Sequence, residues 1–325
     1  MAASNYPGGF KDGILIRGLP IVQTHPGKVF WLLRAAGAAT TGHKPGSDGN
    51  DGSFNAPFAT LDYAFGRTVA SRGAVIMVKA GHTETISTAT ALAFDVNGVA
   101  VVGLGTGSLR PTFTLDTITT AAIEVSAANI TVQNCIFVAN FADIATFFLL
   151  TTAKDFGVEN CEFRDTSAIL NALNVIDTNA VANDADGLYF VKNRIISLGT
   201  TAATSVFDID AAISRVTITD NFYVGAVVNN TPALLDVTAN VAVTNLEVAR
   251  NVVYRINTDT ATGGLIYAGT STGNTGMAYD NKLRHGDIAA AILVPVGSLI
   301  GMVNNLTTGD ADTSGYVLPA IGTDA

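Results

Sequence analysis

Three aspartates, Asp177, Asp208 and Asp236, each close a short apolar run, in Asn174-Val-Ile-Asp177, Val206-Phe-Asp208 and Leu234-Leu-Asp236, with Asp210 just beyond the second. If the runs are equivalent strands stacked about 4.8 Å apart, carboxylates on neighbours lie about 5 Å apart, and on alternate strands about 10 Å. Those values are near the separations that retaining and inverting glycosidases use. In such enzymes one carboxyl protonates the leaving oxygen while the other attacks the sugar or activates water. No aromatic platform accompanies the three in sequence, so the expectation is a solvated or subunit-facing column, with no catalytic residue assigned.

The other chemistry-bearing patterns lack their context. Gly269-Thr-Ser271-Thr-Gly273 has the spacing of a nucleophile elbow but lies in a Gly/Thr/Ser loop without strand–turn–helix surroundings. Gly103-Leu-Gly105-Thr-Gly107 misses the third glycine of a dinucleotide fingerprint, and turn glycines explain it. The acidic loops Asp48–Asp51, Asp184–Asp186 and Asp310–Asp312 read as polar turns, since the first two have Ala59 and Ile195 where a Ca²⁺-binding hand needs Glu. His25, His43, His82 and His285 are too dispersed for a zinc site and are expected at the surface or in turns. No metal and no cofactor is expected.

The elements that would hold the aspartates repeat. A run of alternating apolar residues ends in Asn at Ile130-Thr-Val-Gln-Asn134, Phe156-Gly-Val-Glu-Asn160, Leu188-Tyr-Phe-Val-Lys-Asn193, Val216-Thr-Ile-Thr-Asp-Asn221 and Leu246-Glu-Val-Ala-Arg-Asn251. Fainter copies end at Asn281 and Asn305, and an earlier one at Gly103; the marker spacings are 31, 26, 33, 28, 30, 30 and 24 residues. Each repeat holds two or three short strands joined by Gly, Asn, Asp and Thr turns. A period of this kind with no sustained helical pattern predicts an all-β chain, a right-handed single-stranded parallel β-helix of about eight coils. An up-and-down barrel or sandwich is the alternative. The markers Asn134, Asn160, Asn193, Asn221, Asn251 and Asn281 are expected to form one hydrogen-bonded file. Cys135 and Cys161, which follow their markers, are expected to be neighbouring buried thiols.

A solenoid needs caps at its apolar ends. Phe58, Leu61, Phe65 and Val69 share one face of a helix that Pro57 would start, and Ala74-Val-Ile-Met-Val78 would be the first coil. The expected division is an N-terminal arm (1–45), a linker with the capping helix (46–73), the β-helix (74–310) and a C-terminal tail (311–325). Charged residues are only 14% of the chain against roughly a quarter in ordinary domains, which suits packing against copies of itself. The formal charge of −9 and the scattered bases argue against nucleic-acid binding. Residues 1–7 lack the basic and apolar regions of an export signal, and no apolar stretch approaches the 18 residues of a membrane span.

Asp48-Gly-Asn-Asp-Gly-Ser53, Pro57-Phe-Ala-Thr-Leu61 and Val75-Ile-Met-Val-Lys79-Ala-Gly81-His82 together resemble the entry region of the pectate-lyase-like β-helix superfamily. The arm, from Tyr6-Pro-Gly-Gly-Phe10 through Ile16-Arg17-Gly18 to His25-Pro-Gly-Lys-Val29-Phe30-Trp31, is similar to the start of β-helix proteins encoded by tailed phages near their head genes. The resemblance implies a non-enzymatic virion protein, a homotrimer decorating the outer surface of the head. The major capsid protein would be its partner, held through Tyr6, Phe10, Ile16, Arg17, Val29, Phe30 and Trp31. A tailspike or tail-fibre subunit that binds or hydrolyses host glycan through Asp177, Asp208 and Asp236 is the alternative. Lyase chemistry of the pectate type would also need a Ca²⁺ cluster and a base. No Lys or Arg flanks the column, although Arg194 and Arg215 could approach from neighbouring turns.

Overall fold

The computed structural model describes residues 14–16, 19–21, 28–35, 44–179, 181–199, 205–225, 234–237, 241–255, 266–267, 273–284, 299–308 and 315–316. Within them the chain winds as a parallel β-helix. Strands at equivalent places in successive coils build three long sheets of ten, ten and seven strands, close to the expected eight coils. The first sheet takes strands such as Thr131–Gln133, Gly157–Glu159 and Tyr189–Val191, and the second takes those that follow, Ile136–Ala139, Glu162–Asp165 and Arg194–Ser197. The third holds Ile123–Val125, Ile144–Leu150, Ala172–Thr178, Phe207–Ile209, Leu235–Val237 and Ile266–Tyr267.

Period-two alternation sends one side chain of each pair inward, so like stacks on like. Phe113, Phe137 and Phe163 are register partners whose rings stack at 5.6 and 5.1 Å, and Phe190 continues the pile at 5.7 Å. Phe148 packs edge-on against Phe137 and Phe156 from the third sheet. These rings are fully buried and are among the largest side chains of the core.

The turn from first to second sheet repeats with one residue at positive φ followed by one buried side chain. The positive-φ file runs Asn134, Asn160, Lys192, Asp220, Arg250, Asp280 and Asn304. The buried file runs Cys135, Cys161, Asn193, Asn221, Asn251, Asn281 and Asn305. The single asparagine file is therefore corrected to two, one residue apart. From Asn193 onward each Oδ1 accepts the backbone N–H of its equivalent one coil earlier, as Asn251 does from Asn221 and Asn281 from Asn251, both at 3.0 Å. Each Nδ2 reaches a carbonyl of the preceding coil, as Asn251 reaches Ile218 at 2.8 Å. Asn134 and Asn160 stand outside this file but bond each other, Nδ2 to Oδ1, at 3.2 Å. The two free thiols occupy the buried file in the earlier coils, as neighbours. Gly103 ends the earliest marker because a Cβ there would lie 2.3 Å from the carbonyl oxygen of Asn134.

At the N-terminal end the helix is shorter than expected, Leu61–Gly66. Phe58 is not in it; it forms a parallel bridge to Leu32, and Asp48 accepts the N–H groups of Ala59 and Thr60 at 2.9 and 3.1 Å. Glu84 accepts the N–H of Leu61, so two carboxylates meet the N-terminus of the helix. Val69 is exposed, but Leu61 and Phe65 plug the core as expected. The first coil is also corrected: Val29–Leu32, assigned to the arm, pairs in parallel with Ala74–Val78 and opens the first sheet. His82 closes a turn, as expected, its N–H donating to the Lys79 carbonyl at 3.2 Å, but its side chain is fully buried and bonded to Glu84 at 3.2 Å.

Because Asn251 closes hydrogen bonds on both of its neighbours, Asn251→Ala strands buried polar groups and is expected to cost about 2–4 kcal/mol, read from denaturant unfolding. An effect below about 0.5 kcal/mol would show that the file is decorative.

Candidate functional site

The expected aspartates are brought together. Asp177 is the register partner of Asp208, and Asp208 of Asp236, on the three consecutive strands Ala172–Thr178, Phe207–Ile209 and Leu235–Val237. Their flanking residues, Ile176, Thr178, Phe207, Ile209, Leu235 and Val237, are buried, so alternation turns the carboxylates to the outer face of the third sheet. The same register line extends downward through Leu149 to Glu124 and upward to Tyr267. The Leu149 and Glu124 end was not apparent from sequence, whereas Leu265-Ile-Tyr267 reads there as a fourth equivalent run. Leu149 separates Glu124 from the aspartates along this line.

The three carboxyls are partly buried and none takes part in a described ion pair. Burial, then repulsion from Asp208 and Asp210, pushes Asp177 up to about 7. The same causes push Asp236 up to about 6. Asp208 is also raised, by burial and by Asp210, but the Asn174 amide, 3.3 Å from its Oδ2, opposes the rise. The column thus sets partly buried carboxyls side by side, with Asp177 and Asp236 raised toward neutrality, where a carboxyl can serve as a proton donor.

Beside the column, where the second sheet turns into the third, lies a small cavity lined by Asp165, Asn174, Ser197, Ser205 and Tyr223. Asp165 closes the corner, its carboxylate accepting N–H groups of Ala172, Leu198 and Gly199 at 3.0, 2.7 and 3.2 Å and the Ser197 hydroxyl at 3.1 Å. Burial still raises its pKa. Those donors make Asp165 a brace for the turn.

No cluster of three or more His, Cys, Asp or Glu side chains converges as a metal site among the described residues. Arg215 is paired with Asp155 at 3.1 Å, and Arg194 lies on the second sheet, so neither serves the column as the base a lyase would need. Asp48 and Asp51 accept backbone N–H groups of their own loop, and Asp186 accepts the N–H of Ser214 one coil on, as structural polar turns do; Asp310–Asp312 lies outside the described residues.

The arm residues divide. Tyr6, Phe10 and Arg17 lie outside the described residues, and Ile16 ends a strand paired with Leu19–Ile21. Val29 is exposed, whereas Phe30 is buried against Phe58 and Trp31 meets Phe54 edge-on at 4.7 Å. Lys79 stands 4.1 Å from the Phe54 ring, fastening this loop to the first sheet. Phe30 and Trp31 are therefore used within the chain. No described helix is long and apolar enough to cross a membrane.

No protein-family model matches the chain, and no curated protein sequence does. Among solved structures it is similar to a rhamnogalacturonan lyase, at 14% identity with 90% of each chain covered and a TM-score of 0.40. It is also similar to the GH136 lacto-N-biosidase from Eubacterium ramulus, at 11% identity over 86% of this chain and 67% of that one, TM-score 0.32. The likeness is one of fold. Both neighbours are named as enzymes, a lyase and a glycoside hydrolase, whereas the expectation for this chain was a non-enzymatic protein.

The raised carboxyls couple folding to pH. Asp177 and Asp236 hold protons more tightly folded than unfolded, so their contribution to stability is complete below about pH 4 and is lost as pH rises through about 6 to 7. Asp177→Asn should therefore melt higher than the parent at pH 8 and lose that advantage by pH 4. Equal melting shifts at both values would show that Asp177 titrates normally.

Proposed function

We propose that the chain hydrolyses a glycan laid along the outer face of its third sheet, with Asp177 as the proton donor and Asp208 as its ionised partner. One observation carries the reading: two partly buried carboxyls are in register one coil apart, where burial and the neighbouring carboxyls push Asp177 up to about 7 and the Asn174 amide opposes the rise of Asp208. Adjacent parallel strands are separated by about 4.8 Å, which suits the roughly 5–5.5 Å between carboxyls in retaining enzymes better than the wider inverting gap. Asp208 would attack the anomeric carbon while Asp177 protonates the departing oxygen; water, deprotonated by Asp177, would then release the sugar with retained configuration. The column's own charge and the net −9 favour a neutral glycan over a polyanionic one.

The setting we propose is the outside of a tailed-phage particle, with the chain as a homotrimer and its arm on the major capsid protein or on a tail part. What supports this is the resemblance of the arm and the charge-poor composition. Because Phe30, Leu32 and Leu33 are core residues, the attachment segment is narrowed to residues 1–27.

Incubation with host polysaccharide should release reducing ends, and Asp208→Asn should lower the rate by at least about a hundredfold. Turnover should fall as pH rises through about 7, when Asp177 loses its proton. Absence of cleavage across neutral host glycans, or full activity in Asp208→Asn, would sink the hydrolytic reading. Removal of residues 1–27 should leave a folded trimer that no longer binds particles; unchanged binding would refute the anchoring role.

A further inference from the structure

Three residues before each column position, the third sheet carries another equivalent series, Thr146, Asn174 and Ser205. The two hydroxyl residues behave alike. Thr146 donates to the carbonyl of Phe148 at 3.0 Å, and Ser205 to that of Phe207 at 2.8 Å, so each hydroxyl closes on its own strand two residues along. Asn174, on the coil between them, reaches instead to the next coil. Its Nδ2 lies 3.3 Å from Oδ2 of Asp208, while its Oδ1 accepts the backbone N–H of Ser205 at 3.4 Å. Since that N–H can only donate, the amide's orientation is fixed and the donor end must face the carboxylate.

We propose that Asn174 is the positioning residue of the column, a buried amide that reaches up one coil to orient the Asp208 carboxylate between Asp177 and Asp236. The consequence for catalysis rests on the hydrolytic reading; the contact itself does not. The charged groups facing Asp208 are all acidic: Asp177 and Asp236 on the flanking strands, and Asp210 beyond its own. Against three carboxyls the amide is the donor that favours the ionised form of Asp208, and an ionised Asp208 in turn raises both of its neighbours. Asn174 thereby decides which of three chemically identical residues is the base and which are acids.

The test is a carboxyl titration of the intact chain carrying ¹³C-labelled aspartate, with Asp208→Asn used to assign the resonance. Asn174→Ser copies the residue that the next coil uses at this place. It should raise the midpoint of Asp208 by about one pH unit, a tenfold change in proton affinity, with the melting curve preserved. Asn174→Thr, copying Thr146, should do the same. An unmoved Asp208 midpoint in either folded variant overturns the proposal, as would loss of the fold in both. The titration needs no glycan: a moved midpoint in a chain that cleaves nothing would uphold Asn174 and refute only the hydrolytic reading.

Discussion

The structure depends on one contact repeated up its length, the hydrogen bond from a buried asparagine Oδ1 to the backbone N–H of the equivalent residue one coil earlier. Where the first sheet bends into the second, the backbone ladder breaks, and each bend would leave a buried N–H without a partner, at about 1–3 kcal/mol apiece. The file from Asn193 to Asn305 supplies the missing acceptor at every coil and uses its own N–H₂ on a carbonyl of the coil before. In the earlier coils the thiols of Cys135 and Cys161 take the place of the amides. Registration at this corner fixes the registration of everything else, since strands of only two to seven residues cannot slip in one sheet without slipping in all.

Much of this was legible in the sequence, and the error at the corner shows why part of it was not. Asparagine suits both adjacent positions of the bend, the first because it tolerates positive φ and the second because it bridges coils. A pattern of types alone merges them. The signal that separates them was present: Asn134 and Asn160 are each followed by a cysteine, whereas Asn193, Asn221 and Asn251 are preceded by the solvated Lys192, Asp220 and Arg250. The helix was overextended for a similar reason. Its apolar spacing over Phe58, Leu61, Phe65 and Val69 is helical, but Phe58 is claimed by a bridge to Leu32, a contact between segments that no local pattern reports.

The aspartate column was legible as a position and not as a chemistry. Its register followed from three similar runs, yet its raised proton affinity follows from burial and from repulsion by Asp208 and Asp210, which no local pattern of residue types reports. The run Leu265-Ile-Tyr267 was legible as the next equivalent of the three that end in Asp, and the pairing of Asp236 with Tyr267 agrees with it. The non-enzymatic expectation rested on the same omission: judged without register, the aspartates gave no reason to hold protons near neutrality.

A solenoid makes such a site from very little. Each coil contributes one outward residue to a line of fixed spacing, so the chemistry along the line is set by substitution at single positions without a change of fold. Leu149 is informative here. It interrupts the line between Glu124 and Asp177, and an acid in its place would join a fourth charge to the three and spread their protons over a longer row. With Leu149 apolar, Asp177 faces a carboxylate on one side only and lies against hydrocarbon on the other, which favours its neutral form. The end of the acidic run is therefore as much a part of the site as its members, and it places the most proton-retaining carboxyl at the boundary.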